Sequence, residues 1–141
     1  MTREEKQLLL KDLIARLSYL VKVSTTDNDG SLENVWDIHL YNTFTEDVNI
    51  IHSTENVSRL VDISEIRPYL RPMSSMTKEE KIDYDRLCSY CLEQDTVNYN
   101  ITTLDRTQLV YVIDWLNENH FDYRGLIEKG LAIDATGLNI Y

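Results

Sequence analysis

Apolar residues in the first part of the chain recur every three or four positions, which is the spacing of one face of a helix. The residues of this stripe are Leu8, Leu9, Leu10, Leu13, Ile14, Leu17 and Leu20. Lys11, Asp12 and Arg16 fall opposite the stripe, so we expect them on the polar face of the helix. The pattern predicts a helix over residues 1–20.

The same short motif opens this helix and a second one. Residues 1–6 read MTREEK and residues 76–81 read MTKEEK. In each motif a Thr precedes a Glu by three positions, the capping box in which each side chain accepts a hydrogen bond from the other residue's backbone N–H. We therefore predict helices that begin near residues 3 and 78. The similarity ends after the motif, so we attribute it to shared capping chemistry and not to an internal duplication.

Between these two helices the period of the pattern changes to two, as in strands that bury one face. Trp36, Ile38 and Leu40, for example, alternate with neighbours that are more polar. The predicted strands lie near residues 21–23, 36–41, 48–51 and 57–63. They form an antiparallel meander of three or four strands over residues 21–66.

The rest of the chain is predicted to be mainly helical. Each Pro of residues 67–76 disfavours helix at the residue before it, so this segment is predicted to be a connector. Residues 77–119 fit two helices with an intervening loop, and residues 120–141 fit a short turn and an extended tail. The pattern thus predicts the α+β class, with the meander packed on about three helices in a two-layer single domain of residues 1–141.

Acidic residues are concentrated in the predicted sheet. Between Asp27 and Glu65, nine carboxylates face a single base, Arg59, so this stretch carries −8 of the formal net charge of −10. Such a surface attracts basic partners and repels nucleic acid. We therefore expect a basic protein as the partner and no direct binding to nucleic acid.

The sequence contains no recognisable catalytic motif. A Gly-rich phosphate loop, a nucleophile elbow and a His-Glu-x-x-His pair are all missing, so we expect a non-enzymatic protein without a cofactor. Cys88 and Cys91 have the spacing of a zinc or redox pair, but they fall on the apolar side of a predicted helix, and we interpret them as packed thiols. His39 and His52 are expected to form an exposed cross-strand pair and no metal site.

No apolar run reaches the roughly 20 residues that a membrane-spanning helix needs. The first residues are charged and lead into an amphipathic stretch, which is not the order of a signal peptide. We therefore expect a cytoplasmic protein that does not contact the membrane.

Nine tyrosines supply large amphipathic side chains of the kind that is enriched at protein interfaces. Most are expected to pack in the core with their hydroxyl groups at the surface. Tyr41, Tyr69 and Tyr123 are flanked by polar or turn-forming residues, so they are the better interface candidates.

Two segments resemble signature blocks of a known group of proteins. They read RPYLRPMSSMTKEE at residues 67–80 and DWLNENHFDYRGLIEKGLA at residues 114–132. The group consists of short uncharacterised proteins that bacterial prophages and mobile elements carry. The resemblance implies a bacterial host cell as the setting, and it implies no activity and no site residue.

Taken together, these features lead to two hypotheses. The first is an acidic protein of phage or mobile-element origin that binds and inhibits a basic, nucleic-acid-binding host protein, with carboxylates standing in for phosphates. Its expected contact residues are Asp29, Glu33, Asp37, Glu46, Asp47, Tyr41, Tyr69 and Tyr123. The second is a homo-oligomeric structural or virion-associated protein that uses its aromatic surface, with the acidic residues serving solubility.

Overall fold

The computed structural model describes residues 1–25, 35–41, 47–52, 57–90, 92–94, 101–104 and 106–141. This part of the chain contains three α-helices and eight strands. The helices are α1 (Arg3–Arg16), α2 (Lys78–Tyr90) and α3 (Arg106–Glu118). The strands are β1 (Lys22–Thr25), β2 (Trp36–Tyr41), β3 (Asp47–Ile51), β4 (Ser58–Asp62), β5 (Ile66–Leu70), β6 (Leu92–Gln94), β7 (Ile101–Leu104) and β8 (Ile133–Asp134). The predicted α+β class is confirmed.

Six of these strands form one mostly antiparallel sheet in the order β4-β3-β2-β1-β5-β8. The first four make the predicted meander, and β5 adds to the free side of β1. The predicted extended tail supplies β8, which pairs with β5 in parallel. Strands β6 and β7 form a small separate sheet where a loop was predicted between the last two helices.

The connection between β4 and β5 forces this open sheet to curve. In a flat sheet these strands would lie four strand spacings apart, or roughly 19 Å. They are joined by one short 3₁₀ helix, Ile63–Glu65, which advances the chain by only about 2 Å per residue. The sheet must therefore bend strongly, and the buried side chains of Ile63 and Ile66 lie at this turn.

Both predicted capping boxes are present. Thr2 Oγ1 accepts a hydrogen bond from the Glu5 backbone N–H at 3.2 Å, and Glu5 Oε2 accepts one from the Thr2 N–H at 2.6 Å. The same reciprocal bonds join Thr77 and Glu80, at 3.1 and 2.8 Å. The repeated motif therefore starts two helices, as predicted.

The segment that was predicted to be a connector is instead part of the sheet. Strand β5 lies between β1 and β8, and it contains Pro68 opposite Val23. In an antiparallel pair, hydrogen-bonded and non-hydrogen-bonded positions alternate. At the neighbouring position the Lys22 N–H and the Tyr69 C=O both point into the space between β1 and β5, where the Tyr141 hydroxyl bridges them. That position is therefore of the hydrogen-bonded kind, and Pro68, one residue away, occupies a position where β1 requires no N–H.

Of the polar face predicted for α1, Lys11 is exposed as predicted, but the prediction is wrong for Asp12 and Arg16. Asp12 and Arg16 are completely buried, whereas Ile14 is 48% exposed and Leu20 is 68% exposed. Arg16 makes two hydrogen bonds to Asp12, at 2.7 and 3.1 Å. Its Nη2 also donates to the carbonyl oxygen of Phe121 at 2.7 Å. An Asp and an Arg four residues apart are neighbours on a helix, and here their mutual charge neutralisation permits burial.

The buried apolar residues fall into two groups. The first, the sheet cluster, joins Leu9 and Leu13 of α1 to the inner face of the sheet around Val23 and Ile50. The second, the helix cluster, is centred on Val112, Leu116 and Phe121, with α2 side chains packed against it. The predicted packing of all three helices on the sheet is therefore too simple, since in the described residues α2 and α3 pack mainly on one another.

We predict that Asp12→Ala destabilises the protein by about 3–5 kcal/mol, because it leaves the buried guanidinium of Arg16 without its counter-charge. The double variant Asp12→Leu/Arg16→Met removes both charges and should lose less. Asp83→Ala is the matched control, since it breaks the exposed ion pair with Arg86 and should cost under about 1 kcal/mol. Urea unfolding measures all three, and an Asp12→Ala loss no larger than that of the control would contradict the interpretation.

Candidate interaction surfaces

The acidic residues predicted to bind a partner differ in their surroundings. Asp29, Glu33 and Glu46 lie outside the described residues. Asp37 is half-buried and forms an ion pair with Lys22, its direct neighbour across the β1–β2 ladder. Its charge is therefore largely neutralised within the sheet, and it is a weak candidate for contact with a partner.

Asp47 is half-buried, and it lies directly opposite Asp62 in the β3–β4 ladder. Asp62 accepts a hydrogen bond from the Ser64 backbone N–H at 2.8 Å and forms an ion pair with Lys6 at 3.2 Å. The hydrogen bonds from Ser64, together with Lys6, lower the pKa of Asp62. The charged form of Asp62 is therefore stabilised by its own partners, although a second carboxylate lies opposite it.

A larger concentration of acid is connected to the opposite end of the sheet. Trp36 lies opposite Val23, and Asp37 lies opposite Ile51, so the start of β2 lies beside the ends of β1 and β3. The connecting segments 26–34 and 53–56 both join the sheet there. We call this end of the sheet the hairpin end.

The two connecting segments of the hairpin end lie outside the described residues, but their sequence is informative. They carry Asp27, Asp29, Glu33 and Glu55 and contain neither Lys nor Arg. The described residues next to them also include no Lys or Arg: Thr25 and Val35 flank the first segment, and His52 and Val57 flank the second. The hairpin end is thus attached to two segments that carry four carboxylates and no base of their own.

The three candidate tyrosines do not form a common surface. Tyr41 lies in β2 opposite Val48, and its side chain is outside the description. Tyr69 is only 1% exposed, so the expectation that it contacts a partner is wrong. Tyr123 is half-buried, and its ring lies near the guanidinium groups of Arg16 at 5.2 Å and Arg124 at 4.9 Å.

The hydroxyl group of Tyr123 donates a hydrogen bond to Asn117 Oδ1 at 3.0 Å. Arg124 in turn approaches the buried carboxylate of Asp12 at 3.3 Å. Tyr123 therefore serves to hold the buried charges beside α1. In the sequence, the feature that could have indicated these buried charges is the four-residue spacing of Asp12 and Arg16, which places an oppositely charged pair on one side of a helix.

The two signature segments meet in space around Arg71. The Arg71 N–H donates to the His120 carbonyl at 2.8 Å, and the Asp122 N–H donates to the Arg71 carbonyl at 2.7 Å. The Arg71 guanidinium makes two 2.8 Å bonds to Glu80 and lies 4.4 Å from the centre of the Phe121 ring. The resemblance in sequence thus corresponds to one structural junction.

Asp122 completes this junction. Its carboxylate accepts hydrogen bonds from the backbone N–H groups of Leu126 and Ile127, both at 2.8 Å. The bidentate bond from Arg71 is the main reason that the pKa of Glu80 falls to about 2. Residues with these roles cannot be identified by spacing alone, since their partners lie far away in the sequence.

Tyr141 closes one end of the β1–β5 ladder. Its hydroxyl group accepts a hydrogen bond from the Lys22 N–H at 3.1 Å and donates one to the Tyr69 carbonyl at 2.7 Å. Its ring stacks on His120 with 3.6 Å between the ring centres. A cleft of about 330 Å³ lies beside it, lined by Arg71, Ser75, Tyr141 and the 135–140 turn. Burial raises the pKa of the Tyr141 hydroxyl.

The histidine pair that the sequence suggested does not form. The β2–β3 register places His52 beside Trp36, and the two rings meet edge to face at 5.1 Å. His39 falls instead at an irregularity in the β2–β3 register, between Ile38 and Leu40.

Cys88 is half-buried and packs against the helix cluster, as predicted for a packed thiol, whereas Cys91 is outside the description. In the described ranges, no group of three or more His, Cys, Asp or Glu side chains is placed to hold a metal ion. None of the helices in the described part of the chain has the length and apolar content needed to cross a membrane.

Comparison of the chain with models of protein families, with curated proteins and with solved structures finds no match. The relationship to prophage proteins therefore stays a prediction from the two signature segments.

We predict that His120 makes stability fall as the pH drops from about 6.5 to about 4. Burial, with the nearby charges of Arg16, Arg71 and Lys22, lowers its pKa to about 4 in the folded protein. The unfolded chain then binds a proton that the folded chain does not, at about 1.4 kcal/mol per pH unit of difference. Glu80, whose folded pKa is about 2, stabilises the fold fully above its ordinary pKa of 4.5, and this contribution is lost only as the pH falls from about 4.5 to about 2.

His120→Asn tests this prediction. His120 has a φ of 57°, which Asn tolerates well. The variant should be less stable at neutral pH, since it loses the stack with Tyr141, but its free energy of unfolding should change less between about pH 6.5 and 4.5. An NMR titration that found the native His120 midpoint near 6.5 would refute the assignment.

Proposed function

We propose that this is a non-enzymatic interaction protein that binds a basic, nucleic-acid-binding protein of a bacterial host through its hairpin end. The observation that carries the proposal is that two acidic segments, 26–34 and 53–56, are attached to the same end of one sheet. Four carboxylates are thereby attached to the hairpin end, although they are spread over residues 27–55 of the sequence.

The electrostatics of such an arrangement suit a basic groove. Clustered negative charges speed association with a cationic surface and give an affinity that depends strongly on salt. A groove that binds nucleic acid is lined by Lys and Arg side chains that normally contact phosphates. Carboxylates of a protein can take the place of these phosphates. The ion pair between Lys22 and Asp37 lies in the sheet beside the hairpin end, so the proposal does not rely on the charge of Asp37.

The setting in a host cell comes from the two signature segments. These segments form the junction around Arg71, so they hold the fold together and do not themselves act as the binding surface. On this proposal the protein is an accessory factor of phage or mobile-element origin, and the host protein that it inhibits is identified by its basic groove. That last step is an analogy between small acidic proteins and not a property of the fold.

The test compares two variants with the same net charge. The first neutralises the hairpin end with Asp27→Asn, Asp29→Asn, Glu33→Gln and Glu55→Gln. The control neutralises four exposed carboxylates elsewhere, with Glu79→Gln, Asp85→Asn, Glu118→Gln and Glu128→Gln. Both are passed with the wild type over a panel of immobilised basic nucleic-acid-binding proteins at low and physiological ionic strength.

The proposal predicts that the hairpin-end variant loses at least about tenfold in affinity, equivalent to about 1.4 kcal/mol, while the control binds like the wild type. Wild-type binding should weaken steeply with salt, because charges further apart than about 8–10 Å are screened. The melting temperature of the hairpin-end variant should stay the same or rise, since like charges are removed. Equal binding by the two variants would show that only net charge matters and would refute the proposal.

A further inference from the structure

Strand β4 forms the outer edge of the six-stranded sheet in the described residues, with β3 as its paired neighbour. Residues 57–60 are all exposed, and the exposed fraction reaches 67% at Leu60. Natural edge strands are commonly protected by Pro, by charged side chains, above all Lys, or by a bulge. Strand β4 carries the charged residues Arg59 and Asp62 but neither Pro nor Lys, and its pairing with β3 is regular throughout.

The pairing with β3 fixes which backbone groups of β4 face outward. The His52 N–H donates to the Val57 carbonyl at 2.9 Å, so this pair is of the hydrogen-bonded kind. Because the two kinds alternate along an antiparallel ladder, Arg59 and Val61 also bond to β3. The N–H and C=O groups of Ser58, Leu60 and Asp62 therefore point away from the sheet.

For a second copy of the same strand in antiparallel orientation, three registers form at least two hydrogen-bonded residue pairs from these outward groups. A register centred on Arg59 places two like charges directly opposite each other, which is destabilising. A register centred on Val61 places Asp62 opposite Leu60. The register centred on Leu60 instead pairs leucine with leucine and places each Ser58 opposite an Asp62, whose carboxylate can accept a hydrogen bond from the serine hydroxyl.

We propose that two copies of this chain associate through β4, antiparallel and centred on Leu60, to form one continuous sheet. The outward N–H and C=O groups of Leu60 bond to Leu60 of the partner subunit, and Ser58 lies opposite Asp62 of the partner subunit. The arrangement is a closed two-fold dimer, since each copy uses the same strand and the same residues. It buries Leu60, which is otherwise an apolar side chain at the surface.

The dependence on salt separates this association from binding to a basic protein. Each copy carries a formal charge of −10, so two copies repel one another and salt should strengthen their association. Binding to a basic protein has the opposite dependence. The two interactions also use different groups, the carboxylates of segments 26–34 and 53–56 in one case and the backbone of β4 in the other, so either one can fail without the other.

The first experiment measures self-association of the full chain by sedimentation equilibrium. Leu60→Lys places two positive charges at the centre of the interface and should raise the dissociation constant at least tenfold, equivalent to about 1.4 kcal/mol. Ile82→Lys is the matched control, since Ile82 on α2 is 58% exposed and lies outside the proposed interface. The control should associate like the wild type.

The second experiment tests the register. In a hydrogen-bonded antiparallel pair the facing Cα atoms lie about 5.5 Å apart, within the range that a disulfide spans. In a Cys88→Ser/Cys91→Ser background, Leu60→Cys should therefore form a disulfide-linked dimer on mild oxidation, and Ile82→Cys should not. Protection of the Ser58 and Leu60 amides from hydrogen exchange should rise with protein concentration.

Three results would overturn the proposal. A chain that is monomeric at all concentrations and at both low and high salt has no such interface. A dimer that Leu60→Lys leaves intact uses another surface. Protection of the β4 amides that appears only after an unrelated extended peptide is added would assign the edge to a different protein.

Discussion

The buried guanidinium of Arg16 is the interaction on which the arrangement of this protein depends. It is neutralised by Asp12 within α1, and it donates a hydrogen bond to the Phe121 carbonyl, more than a hundred residues away in the chain. A charge of this kind is tolerated in an interior when a counter-charge and hydrogen bonds compensate it, as Asp12 and the Phe121 carbonyl do at Nε and Nη2. Since α1 packs in the sheet cluster and Phe121 lies in the helix cluster, this one side chain ties the two cores together.

The surrounding contacts build on the same connection. The turn that carries Phe121 is held by Arg71 and Asp122, and the two signature segments meet there. Beyond this turn the chain supplies β8, and Tyr141 then bridges β1 and β5 through its hydroxyl group. The sheet is thereby fixed from one side, and the two proposed partner surfaces, the hairpin end and the β4 edge, take no part in these contacts.

Local signals in the sequence predicted local structure well. The capping boxes at Thr2 and Thr77 identified two helix starts, and alternation identified the meander, because both depend on neighbouring residues. Pro68 led to the wrong prediction of a connector. A proline is compatible with a strand when the paired strand does not need its N–H, and this depends on the pairing and not on the local sequence. The burial of Asp12, Arg16 and Tyr69 was not predicted, since it depends on partners brought together only by the fold. The acidic segments were visible as composition, but only strand pairing assigned two of them to one end of the sheet.

The coupling of the two cores can be measured directly, because the chain has one Trp in contact with each: Trp36 packs against the sheet cluster and Trp115 packs against the helix cluster. Equilibrium unfolding in urea is followed by fluorescence in the variants Trp36→Phe and Trp115→Phe, each of which keeps a single reporter. If the Arg16 connection makes the two cores one cooperative unit, the two transitions coincide in midpoint and slope, apart from a shift equal to the difference in stability of the two variants by circular dichroism. Two separate transitions, each reporting one cluster, would contradict the account.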